Sequence, residues 1–283
     1  MPGSSLLKGS DCGQASIGLT RYDVKQPRSL PSQKRPPQFY KERIIGDEMN
    51  VQQSMITEAL KRWRIIPVIT IDDPKNAVPL ASALLAGGIP IAEITLRTPG
   101  ALEALRRITH EHPEMFAGAG TVLNVRQAEQ ARKAGAHFVI SPGLNRSVVH
   151  YCLERDIPVY PGVATASEIE AAIESGLTLL KLWPIATLGG VEYLQLLSGP
   201  FAGVEFNPSG GITGANFESY LALKNVVACG GSWMAPPDWI EGRQFERIRA
   251  AVRDTVTRAA RFTPAKRRQF EPASAFHNAA PPR

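Results

Sequence analysis

Eight short apolar segments, each followed by a segment with helical character, fill residues 65–261 and limit the possible folds more than any other feature. Each apolar segment has four to seven residues and is bounded by turn residues, which is typical of a strand buried on both faces of a parallel sheet. The predicted strands are residues 65–71, 91–96, 116–122, 138–142, 159–163, 179–183, 204–207 and 226–232. The predicted helices are residues 54–63, 74–85, 99–110, 124–134, 146–155, 166–175, 190–197, 215–223 and 245–261.

The number of these units predicts the architecture. Eight strand–helix units in about 200 residues favour an α/β fold, a (β/α)8 TIM barrel formed by a single domain. An open, doubly wound sheet would show the same alternation, but such sheets usually carry Gly-x-Gly-x-x-Gly after the first strand. Residues 65–85 contain no such motif.

The two ends of the chain lack this alternation. Residues 1–50 contain Gly-Ser, Ser-Leu-Pro-Ser and Arg-Pro-Pro segments without a sustained period, which predicts a flexible, disordered extension. Residues 263–283 are irregular and contain Lys266-Arg267-Arg268, which predicts a disordered basic tail. The barrel domain is therefore expected to span residues 51–262.

The formal net charge of +6 lies in the ends of the chain. Residues 1–50 and 241–283 hold 18 of the 32 Lys and Arg and 9 of the 26 Asp and Glu, which leaves 14 bases and 17 acids between them. A nucleic-acid partner is therefore not expected. No apolar run reaches the roughly 18 residues that a membrane span needs. The cysteines Cys12, Cys152 and Cys229 are far apart, which predicts no disulfide framework and fits the reducing cytoplasm.

Lys181 lies in the middle of the sixth predicted strand, Leu-Leu-Lys-Leu-Trp. Burial of an amine removes its hydration and favours the neutral form, which can attack a carbonyl carbon. These conditions suit a lysine that forms a Schiff base. The alternative is a structural lysine at a strand end, with its charged head in water.

Glu93 lies in the second predicted strand, and Arg97 follows the end of that strand. The active site of a barrel lies at the carboxyl ends of its strands, so both side chains are candidates for it. A carboxylate that points into an apolar barrel is costly unless it pairs with a cation or takes part in the reaction, where it could serve as a general acid and base. The alternative is an ion pair between Glu93 and Arg97 that takes no part in chemistry.

Glycine-rich segments follow the last two predicted strands, at residues 207–211 (NPSGG) and 230–232 (GGS). Barrels commonly bind a phosphate at these two places through backbone N–H groups, although glycine also occurs there simply to form turns. The third strand ends in small residues and Thr121, which leave room for a ligand and offer a hydroxyl. The fourth ends in the rigid segment 141–143 (SPG), which shapes a pocket.

No histidine pair has the spacing of metal ligands at a strand end, so neither a metal nor another cofactor is expected. The five histidines are His110, His112, His137, His150 and His277. Lys181 and Glu93 therefore remain the one candidate nucleophile and acid–base pair.

Seven strings occur in order and at matching spacing: IAEITLRT, GAGTVLN, ISPGL, PGVAT, KLWP, PSGGI and GGSWM. They closely resemble the family of 2-keto-3-deoxy-6-phosphogluconate (KDPG) aldolases, bifunctional class I aldolases that also act on 4-hydroxy-2-oxoglutarate (KHG). The resemblance covers residues 57–260 and leaves out both ends. It implies that Lys181 forms the Schiff base and that Glu93 is the acid–base residue.

The resemblance also implies the residues that bind substrate. Arg97 and Thr121 are expected at the carboxylate of the keto acid, with Pro142 lining the pocket. The residues implied for the phosphate are Gly210, Gly211 and Ser232. At two further substrate positions the chain departs from the family, because Trp183 replaces the usual phenylalanine and Ser209 a common threonine. Residues 185–188 (IATL) also depart, which affects the choice of aldol acceptor.

The implied reaction cleaves KDPG to pyruvate and glyceraldehyde 3-phosphate in the Entner–Doudoroff pathway, and KHG to pyruvate and glyoxylate. The implied enzyme is a cytoplasmic homotrimer that needs no cofactor and binds a phosphorylated 2-keto acid. Two other functions stay open: a phosphosugar lyase or isomerase that forms no Schiff base, and a catalytically silent module that binds a phosphorylated ligand. A Lys181→Arg variant separates imine chemistry, which it abolishes, from the second enzyme class, which it leaves largely active.

Overall fold

The computed structural model describes residues 51–263, where nine β-strands alternate with helices. The strands are β1 (Ile65–Ile69), β2 (Ile91–Thr95), β3 (Phe116–Gly120), β4 (Val139–Ile140), β5 (Val159–Tyr160), β6 (Gly162–Val163), β7 (Leu179–Leu182), β8 (Glu205–Pro208) and β9 (Cys229–Gly231). The α-helices are α1 (Val51–Trp63), α2 (Ala77–Gly87), α3 (Ala101–Glu111), α4 (Val125–Lys133), α5 (Arg146–Leu153), α6 (Ala166–Glu174), α7 (Gly190–Leu197), α8 (Phe217–Leu221), α9 (Pro237–Glu241) and α10 (Phe245–Ala259). The predictions for residues 1–50 and 264–283 lie outside the described residues.

The strands form two sheets in which every pair is parallel. One sheet has six strands in the order β5-β4-β3-β2-β1-β9, and the other has three in the order β6-β7-β8. Helices connect successive parallel strands, as parallel pairing requires. The predicted α/β class is therefore confirmed. Within residues 51–263, no helix is both long enough and apolar enough to cross a membrane.

Pro161 divides the predicted fifth strand into β5 and β6, because proline has no backbone N–H to donate to a neighbouring strand. Its carbonyl still accepts a hydrogen bond from the backbone N–H of Lys181, at 2.9 Å. A second hydrogen bond of this kind joins β8 to the segment just before β9. There the N–H of Val227 donates to the carbonyl of Phe206 at 2.8 Å. Phe206 also forms an isolated parallel bridge with Val226.

Two elements differ from the prediction after residue 225. The predicted strand 226–232 is regular only over Cys229–Gly231, and helix α9 (Pro237–Glu241) was not predicted. The pair Pro236-Pro237 is typical of a turn, which hides this helix in the sequence. Proline is nevertheless well suited to the first helical position, where its missing N–H breaks no bond.

Several helices have a side-chain cap at their first turn, shortly after the preceding strand ends. The side chain of Asn124 accepts from the N–H of Gln127 at the start of α4, and Asn145 caps α5 in the same way. Thr165 and Glu168 form a capping box at the start of α6. Such caps satisfy backbone groups that a helix leaves free, and they fix where the chain turns away from each strand.

Candidate active site

Lys181 and Glu93 form a buried ion pair. Lys181 lies on β7 and Glu93 on β2, and Nζ donates to the two carboxylate oxygens at 2.9 and 3.1 Å. Lys181 is 4% exposed and Glu93 is 0% exposed. The head of Lys181 therefore does not reach water, and the partner of Glu93 is Lys181 rather than Arg97. A buried pair of this kind contributes little net stability because both ions lose their hydration, so its geometry points to chemistry rather than to packing.

The carboxylate of Glu93 lies directly over Gly120 on β3. A Cβ atom at position 120 would be 2.2 Å from Oε1 of Glu93 and 2.4 Å from its Cγ. Non-bonded heavy atoms do not approach a Cβ so closely, so the position of the carboxylate requires glycine here. The string GAG in the third strand thus has a specific steric reason.

We expect Gly120→Ala to lower kcat/KM of the enzyme proposed below by about 100-fold, because displacement of a reacting group by about 1 Å has an effect of this size. Gly203→Ala is the control, since a Cβ at position 203 would meet no atom within 4 Å. Steady-state kinetics of both variants, with circular dichroism spectra to verify folding, tests the expectation. Equal activities would mean that Glu93 moves aside at no cost.

Arg97 and Thr121 meet at the carboxyl ends of β2 and β3. Nε of Arg97 donates to Oγ1 of Thr121 at 3.0 Å, and Arg97 is exposed. Thr121 has a φ of 56°, in the left-handed region that β-branched residues rarely adopt. Backbone strain of this kind concentrates at binding sites. The terminal nitrogens of Arg97 make no hydrogen bond within residues 51–263, which leaves a planar fork for a carboxylate.

Pro142 lines a surface cavity of about 550 Å³ together with Val122, Ser141 and Arg146. The hydroxyl of Ser141 donates to the carbonyl of Gly143 at 2.8 Å, which fixes the bend that carries Pro142. Lys181 and Glu93 are not among the residues that line this cavity.

The predicted glycine loop after β8 packs against the segment that follows Lys181. Gly210 and Gly211 have φ values of 89° and 88°. A Cβ on Gly210 would be 2.9 Å from Cδ1 of Trp183, and one on Gly211 would be 2.3 Å from the Cβ of Ala186. Both the backbone conformation and the close approach therefore require glycine. Ser209 is buried at the end of this strand, whereas Ser232, after β9, is exposed.

Asn207 is a polar residue of the site that the sequence reasoning did not select. It is paired in register with Lys181, so the two side chains leave the same face of neighbouring strands. Asn207 is 2% exposed and Ser209 is 4% exposed. Within residues 51–263, neither Oδ1 of Asn207 nor Oγ of Ser209 has a hydrogen-bond partner. Buried polar atoms without partners are costly, so both atoms are suited to a bound hydroxyl or water. Its place at the carboxyl end of a predicted strand was the available signal.

The family model for KDPG and KHG aldolases matches residues 56–251 of the chain. The chain belongs to this aldolase family. Its relatives include a 2-dehydro-3-deoxy-phosphogluconate aldolase of Treponema pallidum, 46% identical over 201 residues, which are 71% of this chain and 96% of the relative. A KHG/KDPG aldolase of Escherichia coli K12 is 45% identical over 192 residues, 68% of this chain and 90% of the relative.

A solved structure with the same fold is that of the KDPG aldolase from Legionella pneumophila. It superposes with a TM-score of 0.69 at 39% identity, and the match covers 70% of this chain and 97% of that one. Pyruvate was captured in that crystal at low pH as a covalent carbinolamine intermediate. A carbinolamine is the adduct of an amine with a carbonyl carbon, the step before an imine.

Within this aldolase, Trp183 is the largest side chain at the open end of β7, and it is 37% exposed. It lies two residues after Lys181 in the chain, and its indole ring packs on Gly210 of the glycine loop. Residues 185–188, which depart from the family sequence, also contact the glycine loop. The N–H groups of Ile185 and Ala186 donate to the carbonyls of Ser209 and Gly210 at 2.9 and 3.0 Å. Residues 51–263 of this aldolase contain no cluster of three or more His, Cys, Asp or Glu side chains that could hold a metal ion.

Proposed function

We propose that this aldolase cleaves KDPG to pyruvate and glyceraldehyde 3-phosphate through an imine on Lys181, as in the Entner–Doudoroff pathway. The buried contact between Nζ of Lys181 and the carboxylate of Glu93 carries the proposal. The lysine must be in its neutral form before it can attack a carbonyl, and a carboxylate 2.9 Å from Nζ can accept the proton that it loses.

The first half of the reaction forms the imine. Glu93 accepts a proton from Nζ, and the neutral amine of Lys181 attacks C2 of the keto acid to form a carbinolamine. Loss of the C2 oxygen as water, with a proton returned by Glu93, gives the protonated imine. Oδ1 of Asn207 lacks a partner on the strand next to Lys181, which makes it suitable for ordering this water.

The second half of the reaction breaks the C3–C4 bond. The proton of the C4 hydroxyl passes to Glu93 through a water molecule, and the bonding electrons move to the imine and leave an enamine. Glyceraldehyde 3-phosphate departs, a proton returns to C3 and water releases pyruvate from Lys181. Because the imine accepts the electrons, the chain's own residues supply every group that these steps require.

The remaining predicted residues orient the substrate. The free fork of Arg97, held by Thr121, suits the substrate carboxylate. Pro142 and Trp183 are assigned to the lining of the substrate pocket. The phosphate is assigned to Gly210, Gly211 and Ser232, and the buried hydroxyl of Ser209 to a substrate hydroxyl or a water. KHG is proposed as a second substrate because a relative that is 45% identical carries a name for both activities. KHG carries no phosphate, so we expect its binding to depend much less on these loops.

The proposal extends to the assembly of the fold. We infer that the two sheets form one closed (β/α)8 barrel, because the Lys181–Pro161 and Val227–Phe206 hydrogen bonds lie at the two junctions between them. A homotrimer rests on the family resemblance. Light scattering should give three times the 30.7 kDa of one chain, and the mass of a monomer would refute it. Cytoplasmic location is supported by the free, buried thiols of Cys152 and Cys229, whose pKa values burial raises.

The test is trapping of the imine. The protein is incubated with pyruvate and borohydride, and intact and peptide masses are measured. We expect one carboxyethyl group on the peptide that contains Lys181, and none in Lys181→Ala. Lys224→Ala, which removes a lysine from an exposed position, should be labelled like the parent protein.

Absence of the adduct in folded protein would exclude the imine mechanism. A phosphosugar lyase or isomerase without a Schiff base would then be the better candidate if Lys181→Arg stays active. Binding of phosphorylated ligands without turnover of any 2-keto-3-deoxy acid would instead favour the silent module.

A further inference from the structure

Two aromatic rings and an arginine pack beside Gly231, in the second glycine loop, and beside Gly214, three residues after the first. Phe217 and Trp233 stack with ring centroids 5.6 Å apart and an interplanar angle of 19°. The guanidinium of Arg258 lies over the ring of Phe217, 4.6 Å from its centroid. Phe217 is fully buried. We call these three residues, together with Thr255, the loop anchor.

Trp233 contacts the second glycine loop and the segment that follows the first. A Cβ on Gly231 would be 2.0 Å from Cζ3 of Trp233, and one on Gly214 would be 3.2 Å from its Cδ1. Gly231 therefore has to be glycine because the indole ring occupies the space of its side chain. The indole N–H also donates to Oγ1 of the buried Thr255 on α10, at 3.2 Å. One ring thus joins the end of β9, the loop after β8 and the long C-terminal helix.

Arg258 joins the segment after the first glycine loop to helices α8 and α10 through hydrogen bonds. Its Nη2 donates to the carbonyl of Gly214 at 2.8 Å and to Oε2 of Glu218, on α8, at 2.8 Å. Its Nη1 donates to Asp254 on α10, at 3.3 Å. The hydrogen bond with Arg258 lowers the pKa of Glu218, so the carboxylate stays charged at neutral pH. A guanidinium with several partners holds a fixed orientation, unlike a single surface ion pair.

The glycine loops have to be held in one conformation to bind an anion. Gly210 and Gly211 have the backbone freedom of glycine, and a site made of backbone N–H groups binds an anion well only when those groups are already in place. Trp183, Ala186 and Asn216 hold Gly210 and Gly211. The loop anchor holds Gly231 of the second loop and Gly214, three residues after the first.

We propose that the loop anchor is a positioning device for the phosphorylated end of the substrate, with Arg258 as its main positioning residue. The proposal rests on the assignment of the glycine loops to phosphate in the proposed function. It predicts that the anchor affects binding of the phosphate and leaves the chemistry at Lys181 unchanged, because the contacts of the anchor within residues 51–263 involve neither Lys181 nor Glu93.

The decisive variant is Arg258→Met, which keeps an apolar stem over Phe217 and removes every hydrogen bond of the guanidinium. We expect KM for KDPG to rise about tenfold, as for loss of a hydrogen bond to a charged group. We expect kcat for KDPG, kcat and KM for KHG, and borohydride trapping of pyruvate to stay within about twofold of the parent protein. Arg249→Met is the matched control, because Arg249 lies on the same helix and pairs only with the exposed Glu246 among the described residues.

Inorganic phosphate gives a second readout that does not require turnover. Its dissociation constant, measured by calorimetry, should rise in Arg258→Met by the same factor as KM for KDPG. Trp233→Phe, which keeps the stack and loses the hydrogen bond to Thr255, should show a smaller change in the same direction. This variant replaces Arg258→Met if the latter does not fold.

Three outcomes would overturn the inference. KM values that rise equally for KDPG and KHG would mean that the anchor supports the whole site, and unchanged phosphate affinity would mean that it does not hold the loops. A fall in kcat for both substrates would indicate general loss of structure. Failure of the proposed function appears differently, as absence of the pyruvate adduct in the parent protein, and the phosphate measurement remains informative in that case.

Discussion

Replacing Lys181 with methionine is expected to eliminate the trapped pyruvate adduct and to lower kcat for KDPG by at least about 10⁴-fold, as for loss of a covalent nucleophile. Methionine matches the length of the lysine stem and cannot form an imine. Lys181→Arg should be equally inactive, because it retains the charge next to Glu93 without a nucleophilic amine. Substantial turnover in Lys181→Arg would show that the charge, and not the amine, is what the reaction requires.

The Lys181→Met substitution should also lower the free energy of unfolding. Glu93 is 0% exposed, and in Lys181→Met its carboxylate keeps no cationic partner. Loss of one member of a buried pair costs about 3–5 kcal/mol in the free energy of unfolding, whereas replacement of both by neutral residues is often neutral. We therefore expect the double variant Lys181→Met/Glu93→Gln to be more stable than Lys181→Met in urea titrations. A double variant that is less stable would mean that Glu93 has another partner.

Replacing Glu93 with glutamine is expected to lower kcat for KDPG by about 10²–10⁴-fold, the usual contribution of a general acid and base. Glutamine has the same shape and can still accept a hydrogen bond from Nζ, but it cannot take up a proton. Imine formation should therefore slow together with turnover, and this is measurable as the rate of pyruvate trapping in single-turnover experiments.

The control for this experiment is Glu205→Gln on β8, which removes a carboxylate that is partly exposed and paired with Lys61 at 2.6 Å. Its activity should match that of the parent protein. If Glu93→Gln traps pyruvate at the parent rate but fails to cleave KDPG, Glu93 acts only on the C4 hydroxyl. If it cleaves KDPG at the parent rate, the proton is transferred by another group.

The main features of the fold were predictable because parallel strands buried on both faces leave a clear pattern in the sequence. The eight apolar segments located the strands, and the convergence of strand ends at one edge brought Lys181 and Glu93 together in the prediction. The partner of Glu93 was not predictable from local spacing. Arg97, four residues away along the same chain segment, was an equally valid partner until the tertiary structure placed Lys181 within 2.9 Å.

The finer features depend on contacts between distant segments. Gly231 looked like part of a phosphate loop, and its steric reason is the ring of Trp233. Asn207 was passed over because nothing in the string NPSGG indicates that its Oδ1 is buried without a partner. Pro161 lay inside an acceptable strand pattern, and only the hydrogen-bond pattern shows the break there.

The two members of the buried ion pair belong to different sheets, β2 in the six-stranded sheet and β7 in the three-stranded one. They are 88 positions apart along the chain. A contact between such distant segments forms only when most of the chain has folded, because the entropy of closing so long a loop opposes it. Neither half of the chain alone contains both the amine and the carboxylate. Catalytic activity in this protein therefore reports complete assembly, and two complementary fragments that become active on mixing would reveal that assembly directly.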